Sequence, residues 1–195
     1  FTKAANANNP FSLFSLGYIY YEGKYISQDI NKSIHYLKKA AHFNMKQAQF
    51  ILATIYFYNF MKINEAIHFY ILSADNGYIE ASFIMGFLYQ EGKYIKQDIR
   101  KSIHYYKEAS SFYCNYSKNN LGIIYKYGFT NEIDQNVSMS VEYFKEAIRQ
   151  KNDMISMFNL SLIYIFDQNF VNQRDEAIKL LIKSLNHGFL PSKKL

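Results

Sequence analysis

The sequence predicts an all-α fold: a solenoid of about five antiparallel helix hairpins, stacked as a single repeat array over residues 1–195. Three observations carry this. Two separate sequence marks recur five times in step. Each recurrence sits on apolar residues at helical spacing. Small residues return at one phase of every unit, where two helices would have to approach closely.

The first mark is Tyr20 in "SLFSLGYIY", repeated as Tyr56, Tyr89, Tyr125 and Tyr164 at spacings of 36, 33, 36 and 39. The second is Ser33 in "SIHYLKKAA", repeated as Ala66, Ser102, Ser140 and Ala177 at spacings of 33, 36, 38 and 37. A fixed period of this length is the signature of stacked supersecondary units. It also explains why "EGKYISQDINKSIHY" at 22–36 returns as "EGKYIKQDIRKSIHY" at 91–105, changed at two positions only. That distance is two periods.

Within a unit the first helix is marked by Leu13, Leu16 and Tyr20 at helical spacing. Asn9-Pro10 supplies an N-cap and a proline at the first helical position. Three residues after the marker tyrosine stand Gly23, Asn59, Gly92, Gly128 and Asp167, all expected to accept a left-handed C-terminal turn. A loop follows, plugged by Ile26 or Ile95. Asp29, Asp98 and Asn136 are the expected N-caps of the second helix, which should end near Asn44, Gly77 or Gly188. Gly17, Ala53, Gly86, Gly122 and Ser161 share one phase, as do Ala40, Ser73, Ala109, Ala147 and Ser184. The resulting repeats run 9–44, 45–77, 78–113, 114–151 and 152–188. One hairpin cannot bury its apolar face alone, whereas stacked neighbours can. "FTKAA" at 1–5 reads as the end of a preceding repeat (1–8), and "FLPSKKL" at 189–195 as the start of a further one.

Composition narrows the function classes. The chain is 49% hydrophobic with two prolines, unlike a disordered segment. No run approaches the length needed to span a membrane. Cys114 is the single cysteine, so an internal disulfide and a cysteine-based zinc cluster are both excluded. This fits a reducing, cytoplasmic setting. The net charge of +6 favours acidic partners, although Lys, Asn, Ile, Tyr and Phe are also the residues of A/T-rich codons.

The pattern A-x-x-x-L-G-x-x-Y-x-x-G, then a loop with V/I-x-x-D-x-x-K-A/S, then an aromatic pair and K-A-A, resembles the Sel-1-like repeat family, a longer-period relative of the tetratricopeptide repeat. In the first unit it runs through Leu16, Gly17, Tyr20, Gly23, Ile26, Asp29, Lys32, Ser33, Tyr36, Lys39, Ala40 and Ala41. In the third it runs through Ala81, Met85, Gly86, Tyr89, Gly92, Ile95, Asp98, Lys101, Ser102, Tyr105 and Ala109. Units two, four and five depart from it at the loop Asp, the L-G glycine or the K-A-A end. The resemblance implies a right-handed α/α superhelix. It also implies a non-catalytic protein–protein interaction scaffold, of the kind that holds complexes together in signalling, membrane-protein quality control and cell-wall synthase activation. A regulatory repeat region of a larger enzyme, most plausibly a protein kinase, is the first alternative. A nucleic-acid-binding helical repeat is the second, and no nucleic acid is expected. Because some members live in the endoplasmic reticulum, its lumen is the alternative to the cytoplasm. The disulfide-bonded, cysteine-rich branch does not fit one cysteine.

No catalytic, metal or cofactor site is expected. A Gly-rich phosphate loop, an H-E-x-x-H motif and a nucleophile elbow are all missing from the sequence. His35, His68 and His104 share one phase on successive second helices. Spaced by helix packing at about 10 Å, they are too far apart for the ~2 Å bonds of one metal ion and read as solvent-facing or half-buried. Asp29 and Asp98 are explained by capping. The Asn-x-Ser matches at Asn31, Asn115, Asn136 and Asn159 read as accidents of composition. Lys32, Lys38, Lys39, Arg100, Lys101 and Lys107 read as a solvated face, or as the contact for an acidic partner or an acidic lipid surface.

By analogy with tetratricopeptide repeats the first helices line the concave side. Phe14, Phe50, Phe83, Asn119 and Phe158 read as packing between repeats. Variable positions beside them supply the candidate protein-binding residues: Tyr18, Thr54, Phe87 and Ile123 in one column, and Tyr21, Phe57, Gln90 and Lys126 in the other. The two columns would suit a peptide or helix from another protein, or else bury against the next first helix.

Overall fold

The computed structural model describes residues 9–111, 114–129, 132–151 and 153–186. Among these, ten α-helices follow in order: α1 (Pro10–Glu22), α2 (Ile30–His42), α3 (Lys46–Tyr58), α4 (Ile63–Asp75), α5 (Ile79–Glu91), α6 (Ile99–Ser110), α7 (Asn115–Tyr127), α8 (Val137–Lys151), α9 (Met154–Phe166) and α10 (Arg174–Asn186), with a 3₁₀ segment at Gln168–Gln173. The stretches expected to belong to flanking repeats, 1–8 and 189–195, and the helix end at Gly188 lie outside the described residues.

The chain divides into two units, Phe1–Asp98 and Ile99–Leu195. In the first, α1 pairs with α2 and α3 with α4, while α2 packs on α3 and α4 on α5. In the second, α7 pairs with α8 and α9 with α10, while α6 packs on α7 and α8 on α9. The interior of the second unit is built from Val141, Phe144, Leu160, Ile163, Tyr164 and Ala177. Burying one such large side chain contributes about 1.5–3 kcal/mol, so successive pairs are held mainly by apolar area.

The near-repeated 15-mer is a joint between helices. Gly23 and Gly92 adopt φ of 67° and 68° and close α1 and α5. A Cβ on either would come 2.7 Å from the Cβ of Gln28 or Gln97, so glycine is needed for space as well as conformation. Five residues on, Gln28 Nε2 donates to the Tyr21 carbonyl and Gln97 Nε2 to the Gln90 carbonyl, each at 2.7 Å. The next residue then docks its main chain: Asp29 N and Asp98 N donate to the Tyr20 and Tyr89 carbonyls, both at 3.0 Å. The fourth unit repeats this device with Gln135 Nε2 on the Lys126 carbonyl and Asn136 N on the Tyr125 carbonyl, both at 2.8 Å. Asp29, Asn136 and Asn9 cap their helices as expected, accepting from Lys32 N, Met139 N and Ser12 N.

Two expectations about this joint fail. Asn59 is right-handed (φ −90°) and Asp167 extended (φ −90°, ψ 123°). In the shortened loop after α3 the left-handed residue is Met61 (φ 52°) instead, because three fewer residues force the reversal later. In the fifth unit Asp167 caps the 3₁₀ segment by accepting from Asn169 N, which needs extended backbone. Ile26, expected as a plug, is largely exposed; the Gln28 amide holds the loop closed.

Within each unit two pairs carry a buried serine clamp, at opposite ends, while Ser102 Oγ at the equivalent place on α6 is buried with no hydrogen-bond partner. Ser33 Oγ donates to the Gly17 carbonyl and Ser140 Oγ to the Gly122 carbonyl, near the loop joining the two helices. In the second and fifth units that position is alanine. There Ser73 Oγ donates to the Lys46 carbonyl and Ser184 Oγ to the Met154 carbonyl, at the opposite end. The marker tyrosines stack on the second helix of the same pair: Tyr20 on Tyr36 (5.9 Å), Tyr56 on Phe69 (5.8 Å) and Tyr125 on Tyr143 (5.7 Å). In the fifth unit Leu180 replaces the aromatic, and Tyr164 turns to Phe170 of the 3₁₀ segment at 5.5 Å.

Candidate functional site

Counted from the marker tyrosine, three first-helix positions shape an open groove between consecutive first helices: two before, one after and two after. In the first unit it lies between α3 and α5. Phe57 and Tyr58 come from α3, while Ile84, Phe87, Leu88 and Glu91 come from α5. Tyr70 reaches in from α4, and Lys93 with Tyr94 closes the rim. The volume is about 470 Å³. Phe57 anchors it, its ring 5.0 Å from Tyr94 and 6.5 Å from Tyr70. Burial pushes the Tyr70 phenol above its ordinary value, and a hydrogen bond with Thr54 partly offsets this.

The second unit carries a groove of the same construction between α7 and α9, of about 600 Å³. Lys126 and Tyr127 come from α7, and Leu162, Ile163 and Phe166 from α9. Gln135, Val137, Asp167 and Gln168 complete it. Lys126 Nζ lies 4.9 Å from the centre of the Tyr127 ring. Tyr58, Tyr127 and Phe166 occupy one framework position and are 71%, 69% and 77% exposed. Large apolar groups are thus left in water at equivalent places of the two units.

The eight candidate residues divide. Phe57 and Phe87 meet in the first groove, and Lys126 stands in the second. Tyr18 and Tyr21 form a separate aromatic pair on α1, with centroids 6.4 Å apart. Hydrogen bonding to the Glu22 carboxylate raises the Tyr18 phenol, with burial adding to it. Thr54 is turned to its own helix and to Tyr70, donating to the Phe50 carbonyl at 3.0 Å and lying 3.4 Å from the Tyr70 hydroxyl. Gln90 offers its carbonyl to Gln97. Ile123 packs against the core of its unit.

Tyr58, Tyr94, Tyr127 and Phe166 were not among the candidates. The signal for three of them was the position two after the marker tyrosine, which reads Glu22, Tyr58, Glu91, Tyr127 and Phe166. The position is a carboxylate in the near-copied units and aromatic elsewhere.

The other readings resolve simply. His35, His68 and His104 are exposed, the first two edge-on to the following aromatic residue and His104 tilted against Tyr105. No group of three or more metal-ligating side chains occurs among the described residues, nor a helix long and apolar enough to cross a membrane. The phenylalanine column packs between repeats: Phe50 lies 4.8 Å from Tyr78, ahead of α5. Asn119, its polar member, accepts from Ser156 Oγ and Asn159 Nδ2 of α9. That bond also occupies the Asn159 amide a glycan would need. The second-helix lysines are exposed, and Lys38 and Lys145 lie over the rings of Tyr56 and Tyr164 of the next pair.

A family model described as Sel1 repeat matches residues 10–42, 46–78, 79–111, 115–152 and 155–189. The sel1-like repeat-containing protein L21 of Acanthamoeba polyphaga mimivirus is 36% identical over 101 residues, 51% of this chain and 18% of its own length. The chitin synthase regulator SKT5 of Saccharomyces cerevisiae is 27% identical over 177 residues, 86% of this chain and 25% of its own. The chain thus spans a quarter or less of these relatives. Among solved structures, the c5321 protective antigen of uropathogenic Escherichia coli superposes with a TM-score of 0.87 at 23% identity, over 96% of this chain and 40% of its own. A Sel1 repeat protein from Oxalobacter formigenes superposes with a TM-score of 0.77 at 25% identity, over 94% and 75%. These likenesses show the fold class: tandem α/α pairs of the solenoid kind.

Proposed function

Since the chain belongs to the Sel1-repeat family, we propose that it is a non-catalytic scaffold whose first-helix grooves hold a segment of another protein. The observation that carries this is the recurrence of one groove at the same framework positions in both units, each with an exposed aromatic residue at its mouth. Apolar grooves between parallel first helices suit an amphipathic helix or an extended peptide with large apolar anchors. Glu91 and Lys93 on one rim, and Lys126 and Asp167 on the other, would select orientation rather than supply affinity. The name of the yeast relative, a regulator of an enzyme, favours a regulatory setting in which the array positions an enzyme or its partner in trans.

The test is panning a displayed peptide library against the folded chain, then measuring the selected peptides on wild type and on Phe57→Ala/Phe87→Ala. The double variant must keep its circular dichroism. Binding weakened at least about tenfold, as loss of central anchors produces, is the expected result. Equal affinity for both proteins would remove the groove from consideration.

A further inference from the structure

We propose that the loop edge of the first unit is a contact site for an anionic lipid surface. The pairs α1/α2 and α3/α4 are antiparallel, so the loops following α1, α3 and α5 emerge at one end of the unit. The adjacency of the second and third is visible at the groove rim, where the ring of Phe57 near the end of α3 lies 5.0 Å from that of Tyr94 in the loop after α5.

Each of these loops presents a large apolar side chain beside a lysine. The first has Lys24 next to Tyr25, which is 77% exposed, the ammonium 5.6 Å from the ring centre. The second has Met61, 65% exposed, next to Lys62. The third has Lys93 next to Tyr94 at 5.1 Å, with Lys96 two residues on. Met61, where the shortened loop reverses (φ 52°), leaves its thioether side chain in water.

The lysines stand at the loop tips and the carboxylates at the helix ends: Lys24, Lys62, Lys93 and Lys96 lie within segments 23–29, 59–62 and 92–98, while Glu22 and Glu91 end α1 and α5 and Asp29 and Asp98 precede α2 and α6. Asp29 is spent on the N-terminus of α2 and on Lys32 Nζ at 3.2 Å. Of the neighbouring carboxylates, Glu22 accepts from the Tyr18 hydroxyl and Glu91 lines the groove. A helix C-terminus favours a nearby cation by itself, which accounts for Lys24 and Lys93 but not for the exposed rings and thioether. Aromatic and thioether groups at headgroup depth, with ammonium groups reaching phosphate, satisfy both sets. A folded protein partner would ask for a concave complement, and these groups stand on three separate loop tips.

The test is co-sedimentation with vesicles of phosphatidylcholine alone or with about one-third phosphatidylserine. Wild type should sediment with the anionic vesicles only, and release as salt rises from about 0.05 to 0.5 M. Lys24→Gln/Lys62→Gln/Lys96→Gln should bind at least about tenfold more weakly, and Tyr25→Ser/Met61→Ser should lose binding at the higher salt first. All changed side chains are outside the groove. Phe87→Ala, a groove variant that keeps the Phe57–Tyr94 ring contact, should sediment like wild type, so the two proposals fail separately. Indifference of wild type to phosphatidylserine, or an unchanged affinity in the lysine variant, overturns the site. Retention of wild type by immobilised poly-glutamate without vesicle binding would overturn it in favour of an acidic protein.

Discussion

The Ser33 hydroxyl reaches across the first pair and donates to the Gly17 carbonyl at 2.8 Å, while Leu37, one turn further along, covers the same bare patch of α1. A Cβ on residue 17 would come 2.7 Å from Leu37 Cγ and 3.1 Å from Leu37 N. Alanine is the better helix former by about 1 kcal/mol. Overpacking costs about 1–3 kcal/mol, and Leu37, fully buried, has nowhere to move. Gly17→Ala is therefore expected to destabilise, by about 1–2 kcal/mol net, as a lower urea midpoint at unchanged slope. Gly122→Ala, whose Cβ would meet the buried Phe144 ring at 2.6 Å, should behave alike.

Gly92 and Gly77 separate conformation from space. Both have positive φ, 68° and 76°. A Cβ on Gly92 would strike Gln97 at 2.7 Å, whereas on Gly77 its nearest neighbour is Lys46 Nζ at 3.9 Å. Gly77→Ala should cost about 1–2 kcal/mol, the left-handed penalty alone. Gly92→Ala should cost clearly more, and Gly92→Asn should recover little of it. Thermal unfolding of the three variants checks the order.

Tyr70 should titrate late. Burial raises its phenol above the ordinary value of 10.0. A phenol whose folded pKa exceeds its unfolded one contributes stability that is complete below that unfolded value and is lost as pH rises through the folded one. Stability should thus hold through neutral pH and decline above about pH 10, less steeply in Tyr70→Phe. An alkaline absorbance titration of that variant should lack one late-ionising phenol.

Lys118 is a buried cation on α7, paired with Glu146 of α8 at 3.1 Å. Breaking such a pair by removing one partner costs more than replacing the charge with a well-packed apolar group. Lys118→Met should be near neutral. Glu146→Ala, which strands the ammonium, should destabilise by about 1–3 kcal/mol, reduced in the double variant. Equal losses in both single variants would show that the pair carries no burial penalty.

The helices were legible because the marks that set them are local. Asn9-Pro10, Asp29, Asn136 and the glycines at 23 and 92 announce their roles in adjacent residues. Gln28, Gln97 and Gln135 were not legible, since each bonds a main-chain carbonyl on the preceding helix and leaves no side-chain partner to find. Asn59 misled because loop length, not the tolerance of the residue, chose its backbone, and Asp167 because it caps the 3₁₀ segment that follows. Of the site, Phe57, Phe87 and Lys126 were found as variable positions on a helix face. Thr54 and Ile123 share that variability yet turn inward, a choice made by neighbours such as Tyr70. Tyr58 and Tyr127 escaped notice because exposure is decided by which helix comes next.

Within each unit the two serine clamps give neighbouring pairs opposite hinges. A pair fastened near its loop, as by Ser33 or Ser140, parts first at the far ends of its helices. One fastened there, as by Ser73 or Ser184, yields first at the loop. Local opening follows the least-restrained end, so amide exchange should run fast at opposite edges of the two clamped pairs of a unit. Strain within a unit would then be shared between its two edges rather than unzipping along one side.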